Sequence, residues 1–385
     1  MKECLVCGRK LDTEPLLKFN DMPASAQDIP NETEVKLDKG ISLQLFQCPG
    51  CGLVQFDCTP VEYYKDVIRS GGFSTTMVNL RKRQYSHLIE KYNLLGKKFI
   101  EVGCGRGEFL SVLNEFQVQA YGIEHKHDLV EIAQNAGLNV QEEFLGEADK
   151  VIKNGPFDVF LSFNFFEHQP DPNGMLQGIY NNLTEEGMGL ITVPSLEYIL
   201  EHNGYYEFIR DHLVYYTFET LEFVLNKNGF EVLEKEIVNR DTLSVIVRKK
   251  KKINVSRIAE SYTRICNEIN EYIDNLRKQG KTVAIWGASH QGFTLASTAH
   301  LERKVSYIID SAPFKQGKFA PASHIPIISP SVAIENPVDA IIIMAPGYTD
   351  EIASIIYEKF GKNTEVAVMM TKDLQMYEDI KKCQQ

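Results

Sequence analysis

The run FIEVGCGRGEFL at residues 99–110 constrains this chain more than any other segment, because three glycines separate an apolar strand from the start of a helix. Gly103, Gly105 and Gly107 let the backbone come close to a ligand at a helix N-terminus, where N–H groups point outward. A GxGxG turn alone suits several nucleotide-bearing cofactors. Two acidic residues narrow the choice. Glu101 ends the strand before the turn, and Glu124 ends the next strand, AYGIE, where a carboxylate can accept hydrogen bonds from both hydroxyls of a ribose. A carboxylate just ahead of the turn repels the pyrophosphate of a dinucleotide. The pattern therefore implies S-adenosylmethionine as the cofactor, with Glu101, Gly103, Gly105, Gly107 and Glu124 around it.

The surroundings agree with an α/β fold. From Lys97 to about Arg248, the apolar runs KKFIEVG, QAYGIE, FDVFLSFN and MGLITVP alternate with helical stretches, and a helix TFETLEFVLNKNG precedes the strands FEVLEKEIV and LSVIVRK. Such alternation predicts a parallel sheet. After the basic linker RKKKKI comes an amphipathic helix, IAESYTRICNEINEYIDNLRKQ, and then a second α/β series: KTVAIWGAS, VSYIID, IPIISP, DAIIIMAP and TEVAVM. Between residues 61 and 93 the pattern is helical, with EYYKDV, a break at Gly71 and Gly72, and MVNLRKRQYSHLIEKY. The expected organisation is a zinc-binding module at 1–60, a helical lid or connector at 61–95, a Rossmann-like cofactor domain at 96–250 and a second Rossmann-like domain at 251–385.

Four of the eight cysteines form two CxxC pairs, Cys4 with Cys7 and Cys48 with Cys51, while Cys58, Cys104, Cys266 and Cys383 are scattered. Four thiolates suit tetrahedral Zn²⁺, and Gly8, Gly50 and Gly52 help the backbone wrap the metal. A redox pair needs only one CxxC at a helix start. With four cysteine ligands no coordination position stays open, so the zinc is expected to be structural.

With 385 residues the chain has material for two or three cores. Its net charge of −11 argues against a phosphate-binding surface, which excludes nucleic acid as the expected partner. No apolar run reaches the ~20 residues of a membrane span, and MKECLVCGRK lacks the apolar core of a secretory signal. The expected location is cytoplasmic, and the expected state a monomer or weak homo-oligomer.

The order of motifs resembles class I methyltransferases: the glycine turn, the acidic second strand, FDVFLSFNFFEHQPDP as the fourth-strand motif from Asp158 to Asn164–His168, and NGMLQGIYNNLTEEGMGLITVPS as leader, turn and fifth strand. The whole chain further resembles the sugar C-methyltransferases of the tetronitrose type. The features shared are the cysteine pairs, DMPASAQ, SGGFSTTM, the EH of the fourth-strand motif, DHLVYYT, GASHQGFT and IIDSAPFKQGKFAPASHIPI. That resemblance implies a nucleotide-linked 4-keto deoxysugar as substrate and methylation of the carbon beside the ketone. It also implies His212 as base, His168 in the same pocket, an active-site tyrosine at Tyr63 or Tyr64, and Asp211 or His168 orienting the base. Asn164 is expected beside the cofactor. The C-terminal domain is expected to close the cleft and hold the nucleotide, through His290, Gln291, Lys315 and Gln316.

Two departures stand out. The family's YxEH reads Ile209, Arg210, Asp211, His212 here, and its Gly-Gly-Ser-x-Arg strand is replaced by Asp241, Thr242, Leu243, Ser244 and Val245. The missing tyrosine keeps a sugar O-methyltransferase as an alternative. The spacing of Gly287, Gly292 and Asp310 keeps another, a methyltransferase fused to a nucleotide-binding, reductase-like module.

Overall fold

The computed structural model describes residues 2–66 and 74–384, so the Gly71–Gly72 break and the first four residues of SGGFSTTM lie outside the described residues. The chain divides into two units, Met1–Lys252 and Ile253–Gln385.

The first unit starts with β1 (Leu17–Met22), β2 (Ile41–Gln47) and β3 (Val54–Phe56), which pair antiparallel in sequence order. Helix α1 (Thr75–Tyr92) begins where the Ser74 side chain accepts the N–H of Met77 and ends at Asn93 in the left-handed region. Next come β4 (Lys98–Val102), α2 (Glu108–Leu113), β5 (Gln119–Glu124), α3 (His127–Asn135), β6 (Val140–Glu142) and β7 (Phe157–Phe163). They are followed by α4 (Pro172–Asn181), β8 (Leu183–Pro194), α5 (Leu196–Glu201), β9 (Val214–Tyr215), α6 (Phe218–Lys227), β10 (Phe230–Val238) and β11 (Thr242–Lys249). Seven strands form one sheet in the order β10-β11-β8-β7-β4-β5-β6, parallel except that β11 runs antiparallel to both neighbours. The chain winds one way from β4 through β5 to β6 and the other way through β7 to β8. This leaves a crevice beyond the carboxyl ends of β4 and β7, where open α/β sheets bind ligands.

Strand β9 leaves this sheet and pairs with β3, Val54 opposite Tyr215. Residues 1–60 therefore have no separate core. Cys4, Val6, Phe46, Cys48 and Leu53 are buried in the same apolar cluster as Ile100, Phe160 and Leu221. A segment of this length buries too little apolar surface to stand alone. EYYKDV also differs from its helical expectation. Its described residues form turns, with Tyr64 N–H bonded to the Val61 carbonyl and Asp66 N–H to that of Tyr63. Pro60 precedes it, and the turns commit both tyrosines to a cleft rather than to a helix face.

The second unit comprises α7 (Ser256–Lys278), β12 (Val283–Trp286), α8 (His290–Thr298), β13 (Ile308–Ile309), β14 (Ile327–Ile328) and α9 (Pro330–Glu335). It continues with β15 (Ala340–Ile343), α10 (Thr349–Lys359), β16 (Glu365–Met369), β17 (Leu374–Met376) and α11 (Tyr377–Gln384). Its sheet order, β14-β13-β12-β15-β16-β17, is that of a dinucleotide-type fold with one antiparallel edge strand. Among the described residues no helix is long and apolar enough to cross a membrane.

Candidate active site

The glycine turn folds as its spacing predicts. Gly103, Gly105 and Gly107 all have positive φ, and at Gly107 (φ +82°) a Cβ would stand 2.2 Å from the Leu138 side chain. Only glycine takes that conformation without strain. Glu124 is 1% exposed. Its carboxylate accepts the N–H groups of Gly105 at 2.9 Å, His125 at 2.9 Å and Lys126 at 3.0 Å. One function of Glu124 is thus to brace the turn. Glu101 is fully buried at the end of β4.

A second constellation gathers at the carboxyl end of β7. A cleft of ≈ 230 Å³ is lined by Ala26, Gln27, Tyr63, Tyr64, Asn164, Phe165, Glu167, His168, Ile209, Asp211 and His212, with Asp66 and Pro194. Five separate segments thus meet there. Asn164 takes the left-handed conformation (φ +48°), and its Oδ1 accepts the Thr192 hydroxyl at 3.0 Å.

Asp211 holds the segments together. Its carboxylate accepts the Tyr63 hydroxyl at 2.6 Å and the Ala26 N–H at 3.0 Å. Its backbone carbonyl accepts the Nδ1–H of His168 at 2.8 Å. Beside it, Arg210 donates to the carbonyls of Ala24 and Thr59. The phenol oxygen of Tyr63 also accepts the N–H groups of Ala26 and Gln27, so its hydrogen-bonding capacity is used. Tyr64 packs edge-on against Phe144, and its hydroxyl has no hydrogen bond among the described residues. Burial raises the phenol pKa of Tyr64, which keeps its proton available for donation.

His168 and His212 meet edge to face, ring centroids 4.8 Å apart. Burial holds both imidazoles below the usual histidine range, and for His212 the neighbouring His168 adds to the effect. Both are therefore neutral near pH 7, the state in which an imidazole accepts a proton. No hydrogen bond joins Asp211 to His212 among the described residues, so the aspartate orients His168 and Tyr63 instead.

Glu167 carried no role in the sequence reading, yet it lies against both histidines. One ligand atom from each of Glu167, His168 and His212 falls within 4.8 Å of the others. Burial pushes its carboxyl up to about 8, only partly opposed by its own backbone N–H. The signal in the sequence was an acid next to a histidine after an apolar strand. Its burial depends on the packing of β9 and could not be read there.

The four predicted zinc ligands come together as well. Cys4 and Cys51 sulfurs lie 3.5 Å apart and those of Cys7 and Cys48 3.4 Å, against roughly 3.8 Å between sulfurs in a tetrahedral site with 2.3 Å bonds. The two knuckles repeat each other. In the first, Gly8 N–H bonds the Cys4 carbonyl and Cys4 N–H that of Arg9; in the second, Gly52 bonds Cys48 and Cys48 bonds Leu53. Burial pushes the Cys48 thiol up, but the N–H groups of Cys51 and Gly50 and the neighbouring thiols outweigh it and hold it at about 7. Such a donor set fits a metal that binds thiolate.

In the second unit His290 and Gln291 line a cleft of ≈ 460 Å³ with Met344, Met369 and Met370. Lys315 and Gln316 turn elsewhere: Lys315 pairs with the Asp310 carboxylate at 2.9 Å, and Gln316 bonds the Asp310 carbonyl. Asp310 also accepts the N–H groups of Ala288 and Ala312, so its carboxylate is already well occupied.

A sheet whose glycine turn is braced by an acid on the next strand, with neutral histidines at the end of β7, defines a class I methyltransferase, and the methyltransferase domain family matches residues 77–235. Residues 249–370 match the C-methyltransferase C-terminal domain. The chain is thus a methyltransferase whose second unit matches a C-methyltransferase domain. It is 22% identical to the C-methyltransferase NovU of Streptomyces niveus over 386 residues, covering 91% of each chain. A shorter similarity, 34% over 85 residues, links 21% of the chain to 36% of a ubiquinone biosynthesis O-methyltransferase of Methylococcus capsulatus. Among solved structures, an S-adenosylmethionine-dependent methyltransferase from Clostridium acetobutylicum shares 13% identity at a TM-score of 0.37, over 44% of this chain and 92% of that one.

The Glu167 carboxyl has a pH consequence. Unfolded it releases its proton near 4.5, whereas folded it keeps it to about 8. Between those values the folded state binds more protons, so stability falls as pH rises through that window, by roughly 1.4 kcal/mol per unit at most. Glu167→Gln has no such proton to lose. Urea denaturation at pH 5 and pH 9 is expected to show the variant gaining on the wild type at the higher pH.

Proposed function

We propose that this enzyme moves a methyl group from S-adenosylmethionine to a carbon beside the ketone of a nucleotide-linked sugar, with His212 as the base. The observation that carries the reading is the desolvated pair of neutral histidines in a cleft at the end of β7, next to the strand that leads into the glycine turn. Bound there, the cofactor supplies an electrophilic sulfonium methyl. Gly103, Gly105, Gly107 and Glu101 would hold it, with Asn164 at the methyl-bearing end and Glu124, at the end of the neighbouring strand, toward its ribose.

His212 takes the proton from the carbon, and the C–H electron pair passes into an enolate. That carbon then bonds to the methyl as the carbon–sulfur bond breaks, its electron pair staying on sulfur. The enolate oxygen needs a donor. Ile209 offers none, and Tyr63 is engaged by Asp211, which leaves Tyr64 as the donor. Asp211 and His168 position the others. The whole-chain similarity to a C-methyltransferase supports carbon over oxygen as the acceptor. The occupied Asp310 carboxylate speaks against the reductase-like alternative, because a ribose would have to displace Lys315.

The cysteine cluster is proposed to hold one structural Zn²⁺, the two matching knuckles forming its cage. Elemental analysis is expected to give about one zinc per chain. Cys48→Ser is expected to lower both zinc content and melting temperature.

Incubation with dTDP-, GDP- and CDP-linked 4-keto sugars in deuterium oxide tests the reaction. A product heavier by one methyl is expected, and the unreacted sugar recovered from the mixture is expected to carry deuterium at the acceptor carbon. His212→Asn should abolish both while donor affinity, read by calorimetry, is kept. Product with no exchange at carbon would instead identify an O-methyltransferase. In the same assay Tyr64→Phe is expected to lower kcat by about 10²-fold, the usual cost of one lost oxyanion donor. An unimpaired Tyr64→Phe enzyme would remove that assignment.

A further inference from the structure

Glu167 has no part in the chemistry just described, yet its position is unusual. It is 2% exposed, its Oε2 has no hydrogen-bond partner, and its one ion-pair distance among the described residues is 4.0 Å to His168 Nε2. The state of that nitrogen is fixed from the far side of the ring. His168 Nδ1 faces the Asp211 carbonyl at 2.8 Å and must carry the hydrogen, so in the neutral ring Nε2 has a bare lone pair. A carboxylate facing it would set lone pair against lone pair in a site sheltered from water. A neutral carboxylic acid removes that repulsion.

We propose that Glu167 is a positioning residue of the methyl-transfer site, held as the neutral acid with its Oε1 4.0 Å from His168 Nε2, so that His168 stays uncharged beside His212. The inference rests on the reading of His212 as base. A cationic His168, its ring 4.8 Å from that of His212, would oppose proton uptake there. With the proton on Glu167, His212 faces a neutral neighbour.

The groups around Glu167 are consistent with this. From its own turn there is His168, from the loop before β9 Asp211 and His212, and from β9 and the residue after it the phenols of Tyr215 and Tyr216, both raised by burial. The Asp211 charge is taken up by Tyr63 and Ala26. No lysine or arginine pairs with Glu167 among the described residues, and burial alone pushes its carboxyl up to about 8. The arrangement resembles the general case of a carboxylic acid kept neutral at pH 7 by burial.

Histidine-ring NMR of the intact chain between pH 5 and pH 9.5 tests this without any substrate. The His168 and His212 signals are expected to pass an inflection near pH 8 as Glu167 ionises. In Glu167→Gln the inflection should vanish while His168 keeps its Nδ1–H tautomer, because the amide does not ionise and the Asp211 carbonyl still accepts from Nδ1. In turnover, Glu167→Leu is expected to lower kcat about 10²-fold with KM within roughly threefold, and Glu167→Gln to recover at least about tenfold of that loss. An inflection that persists in Glu167→Gln overturns the proposal. So does a glutamine variant as impaired as the leucine one, or Zn²⁺, added after the cysteine site is filled, binding at these three residues. Should Glu167→Leu fail to fold, the NMR of Glu167→Gln decides alone. If the inflection disappears as expected but no sugar is methylated, the neutral Glu167 beside His168 stands and the base assignment falls.

Discussion

The pocket exists because of what Asp211 grips. Its carboxylate ties Tyr63 and the Ala26 loop, and its carbonyl sets the tautomer of His168. These partners lie between 43 and 185 residues away in sequence. The acid is itself 5% exposed. A buried carboxylate that accepts two hydrogen bonds is stable only while both partners stay in place. Asp211 therefore sets the geometry of the cleft rather than reacting in it. Proton transfer is left to groups whose charge burial suppresses.

The parts of the chain that could be read in advance were those whose chemistry is local. A glycine turn needs only its own three glycines and the strand before it, and each CxxC knuckle closes on its own backbone, Cys4 with Gly8 and Arg9, Cys48 with Gly52 and Leu53. The strands FEVLEKEIV and DAIIIMAP carried enough apolar pattern to be placed within three residues at either end. Tertiary context decided the rest. EYYKDV has helical periodicity but serves as turns, because its tyrosines are drawn to the cleft. Glu167 looked like an ordinary polar residue until Tyr216 stacked on neighbouring Phe166 and sealed it from water. VSYIID reduces to the two-residue strand Ile308–Ile309.

The two sheets solve one backbone problem in the same way. In the first, the acid that ends the second strand, Glu124, accepts the N–H of Gly105 from the turn after the first strand. In the second, Asp310 accepts the N–H of Ala288 from the corresponding turn. A turn that must expose its amide groups to a ligand leaves some of them without helical partners, and an acid on the neighbouring strand satisfies one. The difference lies in what else the acid meets. Asp310 is also neutralised by Lys315.

The pairing of β3 with β9 sets an order of events at the ribosome. Val54 finds its partner in Tyr215, so a nascent chain cannot complete its first sheet until more than half of its length has been made. Closing so long a loop is slow compared with local helix formation. Until then the edge of β3 and the apolar side of the cysteine module stay exposed, a window in which a chaperone would find its substrate.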